Sequence, residues 1–403
     1  MELPAFHGVP GWEFTPLDRL DLRAYPDGRA ADPGSAPRLL QAPSSALSAG
    51  ASQAEDRPRN DLAREHDSAG PIVLPLQEAG RLCGEVLERH LGSAVSAGEP
   101  SASGEGNPFV AYNDARWTDG WLVYVPAHLE VLEPIVLSTV HRPQTFLHHR
   151  VLIVLEEGAQ AEVWAQQLSA APEGEGISNG VVELFVGPHA SLRFIEAQGL
   201  SERTWMFGAE RAIVERDGHL QWTALGFGSA NGKVFLETKL AEPGAHASIT
   251  GAYATRGAQH LDFDTLQEHA APNTSSDLAF RGVLTGRSSA VWRGMIEVDP
   301  GAQRTDAFQE SRNLLLSKRA HADAIPGLEI LADDVRCTHA AAVAQVDPEQ
   351  LFYLASHGLP ENAAKRLVIE GFLQAILERF AGGALREAIG DALQRRIDLV
   401  LAA

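Results

Sequence analysis

The sequence predicts a mainly β protein, a β-solenoid core flanked by α-helical regions on its N-terminal and C-terminal sides. Three observations carry this. From about Phe109 to Val346, short runs such as WLVYVP, VLIVLEE, VVELFV, LQWTALG and ASITGAY are bounded by Gly, Pro, Asp or Asn, as strands are. Helical periodicity of 3.6 residues is almost absent from the same stretch. Turn-like pieces also recur: EEGAQAEV, VGPHASLRF, RDGHLQWT, EPGAHASIT and DPGAQRTD. Their glycines, Gly158, Gly187, Gly218, Gly244 and Gly301, are spaced by 29, 31, 26 and 57 residues. The last interval is close to two repeats of about 28, a period that suits stacked coils. Hairpin turns spaced by chance would give similar intervals, so pattern alone leaves a sandwich or a barrel open.

The elements divide the chain into five stretches. Residues 1–25 hold a short ordered candidate, PGWEFTPLDRLDL, anchored by Trp12, Phe14, Leu17 and Leu20. Residues 26–70 are rich in Ala, Ser, Pro, Gly and charge, and such a composition cannot offset its ordering entropy; it reads as a flexible linker. Residues 71–106 form an N-terminal helical region, with an amphipathic helix from about Leu76 to Leu91 and then a loose stretch, SAGEPSASGEGN. Residues 107–346 are the β core. Residues 347–403 are helical: Asp347 is the expected N-cap with Pro348 at the first helical position, and Gly358 closes that helix. In the next helix Leu367, Val368, Phe372, Ile376 and Phe380 make one apolar stripe, which Ile369, Leu373 and Leu377 widen. So broad a face exceeds what packing on one neighbour requires.

Composition narrows the function classes. The chain has 403 residues, with 53 acidic against 33 basic, for a net charge of -20. A surface that negative repels phosphate backbones and anionic lipid and suits a basic partner, so nucleic acid and membrane are not expected partners. No run approaches the roughly 18 apolar residues of a membrane span, and MELPAFHGVPGWEF lacks the features of a signal peptide. The expected location is the cytoplasm. Only two cysteines occur, Cys83 and Cys337, which excludes a disulfide framework and a CxxC knuckle. Cys83, inside LQEAGRLCGEVLERHL, reads as a small buried apolar residue. No Walker A loop, GxSxG elbow or HExxH helix is present.

Residues 256–380 carry a family resemblance. In order they contain His269, Pro272, Thr274 and Ser276 of an H-x-x-P-x-T-x-S element, then G-x-I-x-V-x-P-G-A-Q-x-T-D-A-x-Q from Gly294 to Gln309. NLLLS at 313–317, P-x-L-E-I-x-A-D-D-V-x-C-x-H from Pro326 to His339, and L-F-Y-L-x-S-x-G from Leu351 to Gly358 follow. Together they resemble the SufB/SufD family of iron–sulfur cluster assembly scaffolds; NPFVAYNDA at 107–115 and GWEFTPL at 11–17 extend the likeness. The resemblance implies a right-handed parallel β-helix between helical regions. It also implies partners: a B-type subunit paired through the β-helices, and an ABC-type ATPase carried on the C-terminal helices. Leu367, Val368, Phe372, Leu373 and Ile376 are then the candidate ATPase-binding surface. The chain's length and scarce cysteine fit the D-type, a non-enzymatic scaffold whose ATPase and persulfide-accepting roles fall to partners.

If VRCTHAAAV is a strand, Cys337 and His339 share one face and place a thiol beside an imidazole, both suited to iron. Two ligands cannot hold a cluster that needs about four. The resemblance therefore implies a transient iron–sulfur cluster or iron shared with the B-type subunit, with no permanent site in this chain. His339 is by resemblance the residue most tied to assembly. Asp333 and Asp334 read as turn and edge residues. His141, His148 and His149, in HRPQTFLHHR, read as a solvated strand end, and His269 as a residue satisfying backbone groups at a solenoid corner. Two other readings compete: a B-type subunit or stand-alone homodimer of the same family, and a β-helix carbohydrate-active enzyme. The last would line one face with clustered carboxylates, and no carboxylate ladder is evident in the sequence.

Overall fold

The computed structural model describes residues 11–48, 70–98 and 106–402. First come β1 (Asp27–Gly28), β2 (Leu47–Ser48), β3 (Ile72–Pro75), α1 (Leu76–Ala79), α2 (Gly84–His90) and α3 (Pro108–Arg116). The core begins with β4 (Asp119–Val125), β5 (Ile135–His141), β6 (Thr145–Leu155), β7 (Gln160–Ser169), β8 (Gly176–Val186), β9 (Ser191–Gly199), β10 (Thr204–Val214) and β11 (His219–Gly226). It continues with β12 (Asn231–Leu240), β13 (His246–Thr255), β14 (His260–His269), β15 (Ser275–Leu284), β16 (Ser289–Val298), β17 (Asp306–Leu315), β18 (His321–Ile330) and β19 (Arg336–Gln345). Helices α4 (Pro348–Ser356), α5 (Glu361–Leu377) and α6 (Ala384–Leu401) follow.

From β4 onward the strands alternate between two sheets. Even-numbered strands stack from β4 to β18 in one, odd-numbered strands from β5 to β19 in the other. Each pairs in parallel with the strand two along, as β10 does with β12 and β11 with β13. The result is a parallel β-solenoid of about 8 turns. Strands covered on both faces need not alternate polar and apolar residues, and β8 is buried at nearly every position. That is why these runs look uniformly apolar rather than striped.

The repeat is real, but its glycines are not equivalent. At the corners leading into the odd-numbered sheet, one residue per turn adopts the left-handed conformation: Gly158, His189, Asp217, Gly244, Asn273 and Arg304. Gly187 and Gly218 sit beside that position rather than on it, and Gly301 is outside the column. Asn, Asp and His enter this conformation more readily than most residues, which hides the repeat from a search for glycine alone.

Three apolar layers hold the solenoid. Its lumen is filled by side chains such as Ile153, Val163, Phe194, Trp222, Leu236, Phe280 and Trp292. The outer face of the even-numbered sheet is covered from the N-terminal side: Trp12, Leu17, Leu20 and Phe109 pack on Phe146, Phe207 and Phe235. Phe14, expected among these anchors, is instead exposed. Beneath this cover lies a buried ion pair, Lys233 Nζ to Asp262 Oδ1 at 2.9 Å, and Thr15 Oγ1 donates to Asp262 Oδ2 at 2.6 Å. The outer face of the odd-numbered sheet is covered by α5 and α6.

Two expected N-terminal features differ. The amphipathic helix from Leu76 to Leu91 is two short helices broken across 80–83, where Gly80 and Gly84 weaken helix formation. The bend lets Leu76, Ala79 and Cys83 all pack on Leu122, Leu152 and Val154, so Cys83 is buried as expected. The expected linker is ordered over 26–48. There β1 pairs with β6, β2 pairs with β5, and the Leu40 N–H donates to Gln166 Oε1 at 2.7 Å. A few backbone contacts and one buried leucine order a segment whose composition is polar. Residues 49–69 of that linker, and 99–105 of the later loose stretch, lie outside the described residues.

The lumen also holds two acids. Glu196 on β9 and Glu210 on β10 are buried and hydrogen-bonded to each other, and Gln167 Nε2 donates to Glu196 Oε1 at 2.6 Å. Burial first, and for Glu210 then the neighbouring charge, push both carboxyls up, so one proton is shared between them. Because these folded-state values lie above the ordinary one, the pair's contribution to stability is greatest at low pH and is lost as pH rises through them. Glu210→Gln is expected to flatten that loss. Denaturant midpoints measured from pH 5 to 9 should converge at acid pH and favour the variant at alkaline pH.

Candidate functional site

Among the described residues, no further turn is stacked on the last turn of the solenoid. In β17, Ala307, Gln309, Ser311 and Asn313 face the lumen and are fully buried. Their in-register partners on β19 are Cys337, His339, Ala341 and Val343, which therefore face the same way. On β19 these positions are half-buried or exposed, because no further strand among the described residues covers them. Cys337 and His339 thus lie on one face, as their spacing predicts, and that face is the open end of the lumen.

The two side chains differ in setting. Cys337 packs on Ile296, Val298 and Ala307, and its thiol is pushed up, first by burial and then by the Asp306 carboxylate. His339 is exposed above Gln309. Asp333 and Asp334 form the turn between β18 and β19; the Asp334 carbonyl accepts from the Arg304 N–H at 2.5 Å, and its N–H donates to Gln303 Oε1 at 2.8 Å. Among the described residues no group of three or more His, Cys, Asp or Glu side chains gathers around one point. This edge can contribute a thiol and an imidazole and exposes Leu328, Ile330, Leu331 and Val343 beside them.

Several candidate residues belong elsewhere. His141, His148 and His149 are not a solvated strand end: all three are buried. His141 Nε2 lies 3.0 Å from the Thr145 carbonyl, and Asn179 Nδ2 donates to His148 Nδ1 at 3.0 Å. Burial depresses His148 and His149 to about 4, so they stay neutral in the folded protein. His148 lies beneath the N-terminal elements, its Nε2 3.6 Å from Asp27 Oδ1, while His141 and His149 share the lumen-facing parity of Leu137 and Ile153. His269 does sit at a corner, but its partners are hydroxyls, Thr274 Oγ1 at 2.8 Å and Ser276 Oγ at 2.9 Å, rather than backbone groups. Register also reveals a stack that the sequence conceals: Glu268, Glu297 and Glu329 are neighbours on successive even-numbered strands. Glu268 is held by Arg211 at 2.8 Å and Lys239 at 2.6 Å.

The candidate ATPase surface divides in two. Leu373 and Ile376 are buried, with Ile369, against α6 and the outer face of the odd-numbered sheet, where Trp164, Ile195, Leu225 and Phe227 wait for a cover. The breadth of the α5 apolar face is thus explained inside the chain, and these two residues are not available to a partner. Val368 and Phe372 lie half-buried at the rim of that cluster, while Leu367 is 51% exposed. On α4, which packs against α5, Phe352 and Tyr353 are 76% and 61% exposed. The sequence motif LFYLASHG contained them, but helical periodicity does not single them out.

The family model for the SUF system FeS cluster assembly SufBD core domain matches residues 138–372 of this chain. The chain belongs to the SufBD family. Within it the chain is SufD-like: it is 29% identical over 341 residues to iron–sulfur cluster assembly protein SufD of Bacillus subtilis, covering 83% of this chain and 76% of that one. It is 26% identical to SufBD family proteins of Staphylococcus epidermidis and Staphylococcus haemolyticus, over 78% of this chain and 66% of theirs. The SufBD match spans the solenoid from β5 through the open end and into α5. No helix among the described residues is long and apolar enough to cross a membrane.

Proposed function

We propose that this chain is the D-type scaffold subunit of a Suf-type assembly complex, working in the cytoplasm and catalysing no reaction itself. The observation that carries the reading is the open last turn: β18 and β19 end both sheets with unpaired edges, and the lumen face there presents Cys337 and His339. Exposed strand edges bearing apolar side chains favour a further strand from a partner. A B-type subunit docked on this end supplies the ligands that this chain lacks, and the iron–sulfur cluster built there is cargo, held weakly enough to be passed on. An ABC-type ATPase docks on the C-terminal helices, with Phe352, Tyr353 and Leu367 in place of the buried Leu373 and Ile376. The buried histidines and the lumen acids are parts of the fold in this account.

The same edges can pair with a second copy of the chain when the B-type subunit is missing. Val343→Lys puts a charge into the pairing face without touching the folded core. Co-expressed with a B-type subunit and an ABC-type ATPase, this variant is expected to lose the B-type subunit on purification and keep the ATPase. Retention of both at wild-type stoichiometry would count against the open end as the interface.

A further inference from the structure

The net charge of -20 is not spread evenly over the solenoid. Corners leading from an even-numbered to an odd-numbered strand are rich in acids, among them Glu156, Glu215, Asp217, Glu242, Asp299 and Asp334. The opposite corners carry cations, and their state changes along the axis. Arg203 pairs with Glu175, and Arg256 lies 2.7 Å from Glu202. On the last two such corners, 285–288 and 316–320, the pairing stops. Arg287, Lys318 and Arg319 are exposed there, and among the described residues their side chains enter no ion pair or hydrogen bond. The backbone beneath them is fixed. The Arg287 N–H donates to the Gly257 carbonyl at 2.7 Å, Ser317 Oγ to the Gly286 carbonyl at 2.8 Å, and the Arg319 N–H to Ser317 Oγ at 3.2 Å. Gly257 and Gly286, at φ of 60° and 69°, let one corner stack on the next: a Cβ on Gly286 would lie 2.9 Å from the Gly257 backbone. The unneutralised cations thus stand on adjacent turns, about 4.8 Å apart, along an edge that ends where β18 begins. Asp347, where β19 leaves the same edge, is committed to capping α4, its carboxylate accepting the Glu349 N–H at 2.9 Å.

We propose that the edge carrying Arg287, Lys318 and Arg319 is a docking site for an extended acidic segment of a partner protein. Like charges gathered without counterions repel one another, and an anionic partner relieves that repulsion. The cations follow a line rather than surround a point, so a single phosphate cannot meet them all. The acids on the opposite edge and the overall charge repel a nucleic-acid backbone. An extended acidic peptide fits the line, because its alternate side chains recur about every 6.6–6.8 Å and long Lys and Arg side chains span the difference from the turn spacing. The site lies beside the open end and stands whether or not Cys337 and His339 bind a cluster.

The test uses the full chain and a fluorescein-labelled hexaglutamate peptide, with binding read by anisotropy at about 0.05 M and about 0.2 M salt. The wild type is expected to bind, and to bind more weakly at the higher salt. Lys318→Glu/Arg319→Glu is expected to weaken binding about 10-fold or more at the lower salt. Arg216→Glu/Arg304→Glu changes the net charge equally but on the acidic corners, and is expected to stay within about 2-fold of the wild type. Lys318→Gln/Arg319→Gln gives a second reading if the reversed variant does not fold, with an expected loss of about 3-fold. No binding by the wild type at the lower salt, equal losses in the two Glu variants, or tighter binding of a single-stranded DNA hexamer than of the peptide would overturn the proposal.

Discussion

Asp262→Ala is expected to destabilise the protein by about 3–5 kcal/mol, the usual cost of removing one partner of a buried ion pair. Lys233 and Asp262 are 2% and 1% exposed at the side chain, so the remaining ammonium cannot reach water. Asp264 Oδ2 lies 3.5 Å from Lys233 Nζ, but Arg293 also binds it, so it cannot replace the lost charge in full. Thr15 loses its acceptor in the same step, and with it the N-terminal segment loses a buried polar tether to β14. Two readouts should move together: the denaturant midpoint falls, and amide exchange over residues 11–22 accelerates. The double variant Lys233→Met/Asp262→Leu removes both charges and is expected to recover most of the loss. A single variant with the wild-type midpoint would show that water reaches this pair.

Deleting residues 361–403 is expected to have the larger effect. Such a truncation looks like a clean way to remove an ATPase-docking region, but α5 and α6 are also the cover of the odd-numbered sheet. Without them Trp164, Ile195, Leu225, Phe227 and Val283 become a continuous apolar face. Burying each large apolar side chain is worth about 1.5–3 kcal/mol, so losing five such contacts approaches or exceeds the 5–15 kcal/mol that holds a typical domain together. Arg396 would leave as well, with its bonds to the Ala254 carbonyl at 2.7 Å and Gln259 Oε1 at 2.6 Å. The truncated chain is expected to be insoluble or to unfold well below the full chain in a thermal melt. A soluble truncation with an unchanged melting profile would contradict the layered packing.

Much of the fold could be read from the sequence because a solenoid repeats its physics. Each turn needs two short apolar runs and a corner, and those recur often enough to show a period near 28. What stayed hidden was whatever depends on a neighbour far away in sequence. His148 looks exposed beside Arg150, until α3 and β1 are laid over it. Leu373 and Ile376 look surplus, until the outer face of the odd-numbered sheet is seen to be apolar too. The Glu268, Glu297 and Glu329 stack is invisible because the residues are 29 and 32 positions apart. The pairing of Cys337 with His339 was legible, since it needs only the two-residue period of a strand. That they occupy the last, uncovered turn was not, because only the full stacking order shows where it ends.

The central claim is that the open end of the solenoid is half of a shared assembly site. The most direct measurement is the cluster content of the complex with a B-type subunit and an ABC-type ATPase, compared between wild type and His339→Ala. The account predicts an intact complex of unchanged stoichiometry whose iron and sulfide content falls to a small fraction of wild type. An intact His339→Ala complex carrying a full complement of cluster would contradict it.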